Sequence, residues 1–205
     1  MANPDTPFGL QPCNRNGGEY DGTIGLYYVP ATDSVALAVG DVVTLAGSAN
    51  DAYNTGYAVG SAPTVKRATG GAPSGGAAYI PVGIVVGFKV DPTALEVSNY
   101  RAASTARYVM VADDPQLFFI VQEDSVGGAL AITDVGERGD FIMGTPSATT
   151  GLSNVELDSS TVAASADKQA QVIRLLDVPN NVIGDNAKWI CKFNSHMYNA
   201  GTAGV

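Results

Sequence analysis

The stretch ARYVMVADDPQLFFIVQED, residues 106–124, decides the fold class. Two runs rich in β-branched, aromatic and aliphatic residues, 106–112 and 117–123, flank Asp113, Asp114, Pro115 and Gln116. Such side chains fit a half-buried pleated surface. In the first run Tyr108, Met110 and Ala112 fall on one face, with Val109 and Val111 on the other. Asp114-Pro115 reads as a tight turn, because proline fixes φ at the second turn position and aspartate favours the first. The expectation is a hairpin over 106–124 at the structural centre of a sheet. Asp113 and Asp114 then sit at its turn end and Glu123 and Asp124 at the other, ~23 Å away, which argues against a carboxylate pair for acid–base work.

Outward from this hairpin the same grammar repeats. Strands are expected at about 23–29, 35–45 (with a break at Gly40-Asp41), 63–68, 79–90, 171–178 and 187–194. In 188–194 Trp189, Cys191 and Phe193 share a face opposite Ile190 and Lys192. Turn clusters at 14–18, 47–56, 70–76, 144–154 and 179–186 separate the runs. No segment carries a sustained 3.6-residue apolar stripe, and only 162–171 (VAASADKQAQ) offers one or two helical turns. The class is therefore all-β: a β-sandwich or barrel, jelly-roll-like, with long Gly/Pro-rich loops. The expected organisation is an extended N-terminal arm, 1–22, followed by one domain, 23–205. Whether 130–170 forms a separate loop-rich lobe is left open.

Composition removes several function classes. With 205 residues, 45% of them hydrophobic and 15% charged, the chain can bury a full core. Twenty acids against eleven bases give a net charge of −9, which repels phosphate backbones. The most apolar stretch, 79–90, is far too short and too interrupted to span a bilayer, so neither nucleic acid nor membrane is expected as a partner. MANPDTPFGL has no basic or apolar region of a secretory signal, so the chain is expected to be made and used inside a cell.

The chemistry-bearing residues are few. Cys13 and Cys191 make one disulfide arithmetically possible, but two free thiols are the expected state. No Cys/His spacing resembles a metal site, and no cofactor is expected. A serine–histidine–acid site would have to use His196, the sole histidine, and no GxSxG elbow is present. Calcium at Asp113 and Asp114 lacks the DxDxDG spacing. Lys66, Arg67, Arg101 and Arg107 are too sparse for a nucleic-acid patch; pairing with the acidic half of a neighbouring copy is the alternative. Residues 111–160 hold nine acids and one base, so they build a strongly negative surface. The first 22 residues, with three prolines in the first dozen positions, read either as an arm that lies down on a surface through Phe8 and Leu10 or as a frayed terminus.

Several features in their order resemble the head cement, or decoration, proteins of tailed bacteriophages. They are the MANPDTPFGLQP arm, the GDVVTL strand at 40–45, VGIVVGF at 82–88, the region from Tyr100 to Asp124, and RLLDVPNNVIGDNAKWICKFNSH at 174–196. The resemblance covers almost the whole chain, weakly over 130–170, and Cys191 stands where the family carries an aliphatic residue. It implies a non-enzymatic all-β virion protein, made in the host bacterial cytoplasm, that sits on the outer surface of the capsid. There it would bridge subunits of the major capsid protein, as a homodimer or homotrimer. On that basis Pro4, Pro7, Phe8 and Leu10 are expected to contact an adjacent copy or the shell, and the Asp113–Asp114 turn is expected to face solvent or a basic shell surface. A head–tail connector, collar or tail protein is the alternative, and a β-fold hydrolase built on Asp113, Asp114 and His196 a distant one.

Overall fold

The computed structural model describes residues 3–16, 18–51, 57–90 and 99–199. Expectations for Met1, Ala2, Gly17, 52–56 and the tail from 200 lie outside the described residues. Among those residues the strands run, in chain order, β1 (Gln11–Arg15), β2 (Gly18–Glu19), β3 (Gly25–Val29), β4 (Leu37–Ala38) and β5 (Val42–Ala49). Then come β6 (Pro63–Arg67), β7 (Gly83–Phe88), β8 (Tyr100–Arg101), β9 (Arg107–Ala112) and β10 (Leu117–Gln122). The last five are β11 (Arg138–Gly139), β12 (Phe141–Gly144), β13 (Asn154–Leu157), β14 (Ala170–Leu175) and β15 (Lys188–Phe193). The helical segments described are 3₁₀ turns of three residues each, so the chain is all-β.

A closed barrel, in the order β3-β6-β5-β7-β9, packs against a six-stranded sheet in the order β11-β14-β15-β10-β1-β2. The barrel interior is filled by Tyr27, Val43, Val65, Val85, Val109 and Val111 with their neighbours. A second core lies between the barrel wall and the sheet. There Val42, Ile84 and Ala112 meet Leu117, Phe119, Val121, Trp189, Cys191 and Phe193. Strands β5, β7 and β9 thus point alternate residues into two different cores, and both faces are dry. This is why VVT, GIVVGF and RYVMVA read as near-continuous apolar runs. The break expected at Gly40-Asp41 is present: Gly40 has φ +91°, which glycine adopts without strain, and it separates β4 from β5.

The structure corrects the sequence reading, or closes a question it left open, in five places. First, β9 and β10 do not pair: β9 lies between β3 and β7 in the barrel, and β10 lies between β1 and β15 in the sheet. Asp113–Gln116 is a crossover that hands the chain from one core to the other. Second, the extended arm is part of the fold. Residues 11–15 form β1, antiparallel to β10, with a bulge at Cys13 that locally shifts the register. Third, 130–170, whose organisation the sequence left open, is joined to the rest: Leu130, Phe141, Val155, Leu157 and Ala170 share one core with Phe119 and Trp189.

Fourth, 162–171 is not helical. Buried Gln169 makes it a tie: its side-chain oxygen accepts from Gly71 N and Phe141 N, and its nitrogen donates to the Thr69 and Tyr79 carbonyls. All four side-chain hydrogen-bonding positions are filled, which a helical register would forfeit. Fifth, three of the four basic residues offered for pairing with a neighbouring copy are used within the chain. The Arg101 side chain is fully buried and donates to the carbonyls of Pro30, Asp33, Val35 and Thr105. Arg67 pairs with Asp41, and Arg107 is buried.

Candidate functional site

Three places gather the chain's polar chemistry. At the first, β3 and the crossover after β9 bring Tyr27 and Asp113 together: the Tyr27 hydroxyl donates to Asp113 Oδ2 at 2.7 Å and lies 2.8 Å from the Tyr198 hydroxyl. The Tyr198 amide donates to His196 Nδ1 at 3.1 Å. His196 is fully buried beside Phe193, and burial pushes its ring down to about 4, against the opposing pull of Val82's backbone and the Asp113 and Asp114 charges. The imidazole is therefore neutral at pH 7. Burial, together with the hydrogen bonds to Tyr198 and Asp113, holds the Tyr27 hydroxyl far above its ordinary value. The hydrolase reading rested on Asp113 and His196 meeting. They do lie in one network, but the imidazole is fully buried and its Nδ1 already accepts a backbone proton. Asp114 is engaged nearby, taking the Gln116 amide at 2.8 Å and Arg15 at 3.3 Å.

The second place is the Gly40–Asp41 turn, where barrel, sheet and N-terminal segment converge. Asp41 Oδ1 accepts from Ser153 Oγ at 2.7 Å and pairs with Arg67 at 2.9 Å, while Oδ2 accepts from Ala38 N at 2.8 Å. Burial pushes the Asp41 carboxyl up, and Arg67 and Ser153 pull it back. One residue earlier, the Gly40 carbonyl accepts from Leu10 N at 2.9 Å. A Cβ on Gly9 would stand 2.6 Å from that same carbonyl oxygen, so the two backbones touch where only glycine fits.

The third place is the end of the six-stranded sheet reached by the C-terminus of β10. Glu123, fully buried, accepts from Leu130 N at 2.7 Å and Ala187 N at 3.3 Å, tying two loops to the strand end, and burial pushes its carboxyl up to about 6. Ser125 Oγ accepts from Asn186 N at 2.6 Å. Asn3 fastens the N-terminal segment to the same loops, donating to the carbonyls of Val182 and Asp185 and accepting from Val182 N. Gln122 Nε2 donates to the Pro4 carbonyl.

The residues expected to contact a partner divide accordingly. Leu10 is 1% exposed in the chain's own core, which removes it as an anchor for a neighbour. Phe8 is half-buried with Lys188 Nζ 5.6 Å from its ring centre, Pro7 is half-buried, and Pro4 is exposed. Asp113 and Asp114 are half-buried and engaged within the chain. Both cysteines are free, Cys191 buried in β15 and Cys13 partly buried in β1. Among the described residues no group of three His, Cys, Asp or Glu is placed to hold a metal ion, and no helix is long and apolar enough to cross a membrane. Sequence reasoning missed Tyr27, Tyr198 and Ser153, which reach their partners only through the tertiary fold. Comparison of the chain with protein-family models, curated proteins and solved structures finds no match.

Proposed function

We propose that this chain is a structural protein of a bacteriophage particle, a cement protein made in the host cytoplasm that binds the outside of the head and bridges neighbouring capsid subunits. The observation that carries the reading is how the reactive side chains are used. Asp41, Asp113, Glu123 and His196 are engaged in hydrogen bonds within the chain, and Cys191 is packed in the core. What the surface offers instead is apolar and acidic contact area, the equipment of a binding protein. The motif order from MANPDTPFG to NSH supports the same reading, and its segments fall on the barrel–sheet junction and on the two-sided strands β5, β7 and β9.

Such a protein acts by mass action. Binding the assembled shell and not its free subunits stabilises the shell, and repetition over many sites multiplies a small gain at each. Particles assembled without the chain are expected to rupture at lower temperature and to regain the difference when purified protein is added back. Equal rupture temperatures with and without it would overturn the proposal. A copy number of about a dozen per particle, in place of hundreds, would point to the connector or tail alternative.

A further inference from the structure

We infer that the loop end of the six-stranded sheet, built from residues 3–5, 124–135 and 176–186, is the docking surface, and that its partner is a protein surface with an apolar centre and a lysine/arginine rim. The inference rests on the proposed function and adds which face binds and what chemistry it meets.

Two independent observations carry it. The first is where the exposed aliphatic side chains lie. Of thirteen large hydrophobic residues exposed among the described residues, six belong to 126–135 and 178–183, led by Val126 at 80% and Ile132 at 71% exposed. The others are spread along the chain, as single exposed hydrophobics usually are. The loops bearing the six are joined to one another through Glu123, Ser125 and Asn3, so Val126, Val182 and Ile183 are held on one rigid end and not on independent flaps. A concentrated aliphatic patch of this kind marks an interaction surface.

The second observation is charge. The three segments contain Asp5, Asp124, Asp134, Asp177 and Asp185, and not one lysine or arginine. The acids are close enough to act on a neighbour: Glu156 of β13 is pushed up to about 7 by burial first, then by Asp5 and Asp124. Apolar side chains carried on these acidic segments, with Lys188 of β15 drawn over Phe8 and exposed Arg174 as the cations at the adjoining strand ends, favour a cation-rimmed partner and disfavour phosphate-bearing nucleic acid and anionic lipid. It also opposes a symmetric dimer through this end, which would set the patch against itself, five aspartates facing five. The occupant is therefore a different, basic-rimmed protein, which under the proposed function is the capsid subunit.

The test adds purified variants to phage heads that lack the chain and measures bound protein by sedimentation. Val126→Ser with Ile183→Ser, and separately Asp177→Lys with Asp185→Lys, each weaken binding by about tenfold or more. The control Val35→Ser with Val59→Ser, outside this end, leaves it unchanged. All the substituted side chains are exposed, so unaltered thermal unfolding checks that each variant is folded. Binding of the wild type together with undiminished binding of both patch variants overturns this inference and leaves the proposed function standing. No binding by the wild type overturns both. Concentration-dependent self-association lost in the patch variants would show a second copy as occupant and likewise overturn it.

Discussion

Replacing Asp41 by asparagine isolates the turn that joins the two cores. The carboxylate side chain is fully buried and its partner Arg67 is 11% exposed, with Nη2 and Nε at 2.9 and 3.1 Å from the same oxygen. Asparagine keeps the shape and one acceptor for the Ala38 amide but leaves the guanidinium nearly buried without its counter-charge. Breaking one side of a buried pair costs about 3–5 kcal/mol, and the retained hydrogen bond argues for the lower end, about 3 kcal/mol. With a urea slope of roughly 3 kcal/mol/M for a chain this long, the unfolding midpoint falls by about 1 M. The double variant Asp41→Asn with Arg67→Met recovers part of that loss, because the stranded charge is gone, so the cycle is non-additive. A midpoint shift below about 0.3 M, or strict additivity, would refute the assignment of this ion pair as the junction's tie.

Three further outcomes follow from the same geometry. Gly40→Ala forces a side chain into left-handed backbone at φ +91°, with its Cβ 2.7 Å from the Phe8 carbonyl oxygen. Strain and the weakened Leu10–Gly40 hydrogen bond destabilise by about 2–3 kcal/mol, and residues 3–10 become sensitive to limited proteolysis; an unchanged digestion pattern would contradict this. Glu156, raised from 4.5 to about 7 by burial and like charges, ionises in the unfolded chain before it does in the folded one. Stability therefore falls as pH rises through that window, by an amount that solvent screening of this half-exposed group reduces. Glu156→Gln unfolds at a higher temperature than wild type at pH 8 and at the same temperature at pH 4; parallel pH profiles would sink the assignment. Burial pushes the thiols of Cys13 and Cys191 up, Cys191 far more strongly. Two thiols are titrated in denaturant, but Cys191 stays unlabelled in the native protein, and its rapid native labelling would contradict the core packing.

The all-β class and the main strands were legible because they depend on local composition: β-branched and aromatic runs between Gly/Pro clusters. The pairing of those strands was not. Asp-Asp-Pro suits a hairpin turn and an inter-core crossover equally, and the choice is made by β3, β7, β1 and β15, which claim the edges of β9 and β10. β1 was hidden because Gln11-Pro12-Cys13-Asn14-Arg15 has no alternation, and the bulge at Cys13 breaks the period that would have revealed it. Strands β12 and β13, four residues each, were lost in a turn-rich stretch although Phe141 and Leu157 pair across them and enter the core. The network around His196 links residues as much as 171 positions apart, through Tyr27 and Tyr198, with no local spacing to mark it. The acid-only character of 124–135 and 176–186 was readable in the letters; that these segments meet at one end of one sheet was not.

An electron cryo-microscopy map of the phage particle tests the adhesive role most directly. The account predicts repeated density for a barrel and sheet on the outer shell surface, in hundreds of copies, with the end bearing Val126 and Ile183 against a basic-rimmed region of the capsid subunit. Particles without such density, or with this fold confined to a ring of about a dozen copies at the tail vertex, would contradict it.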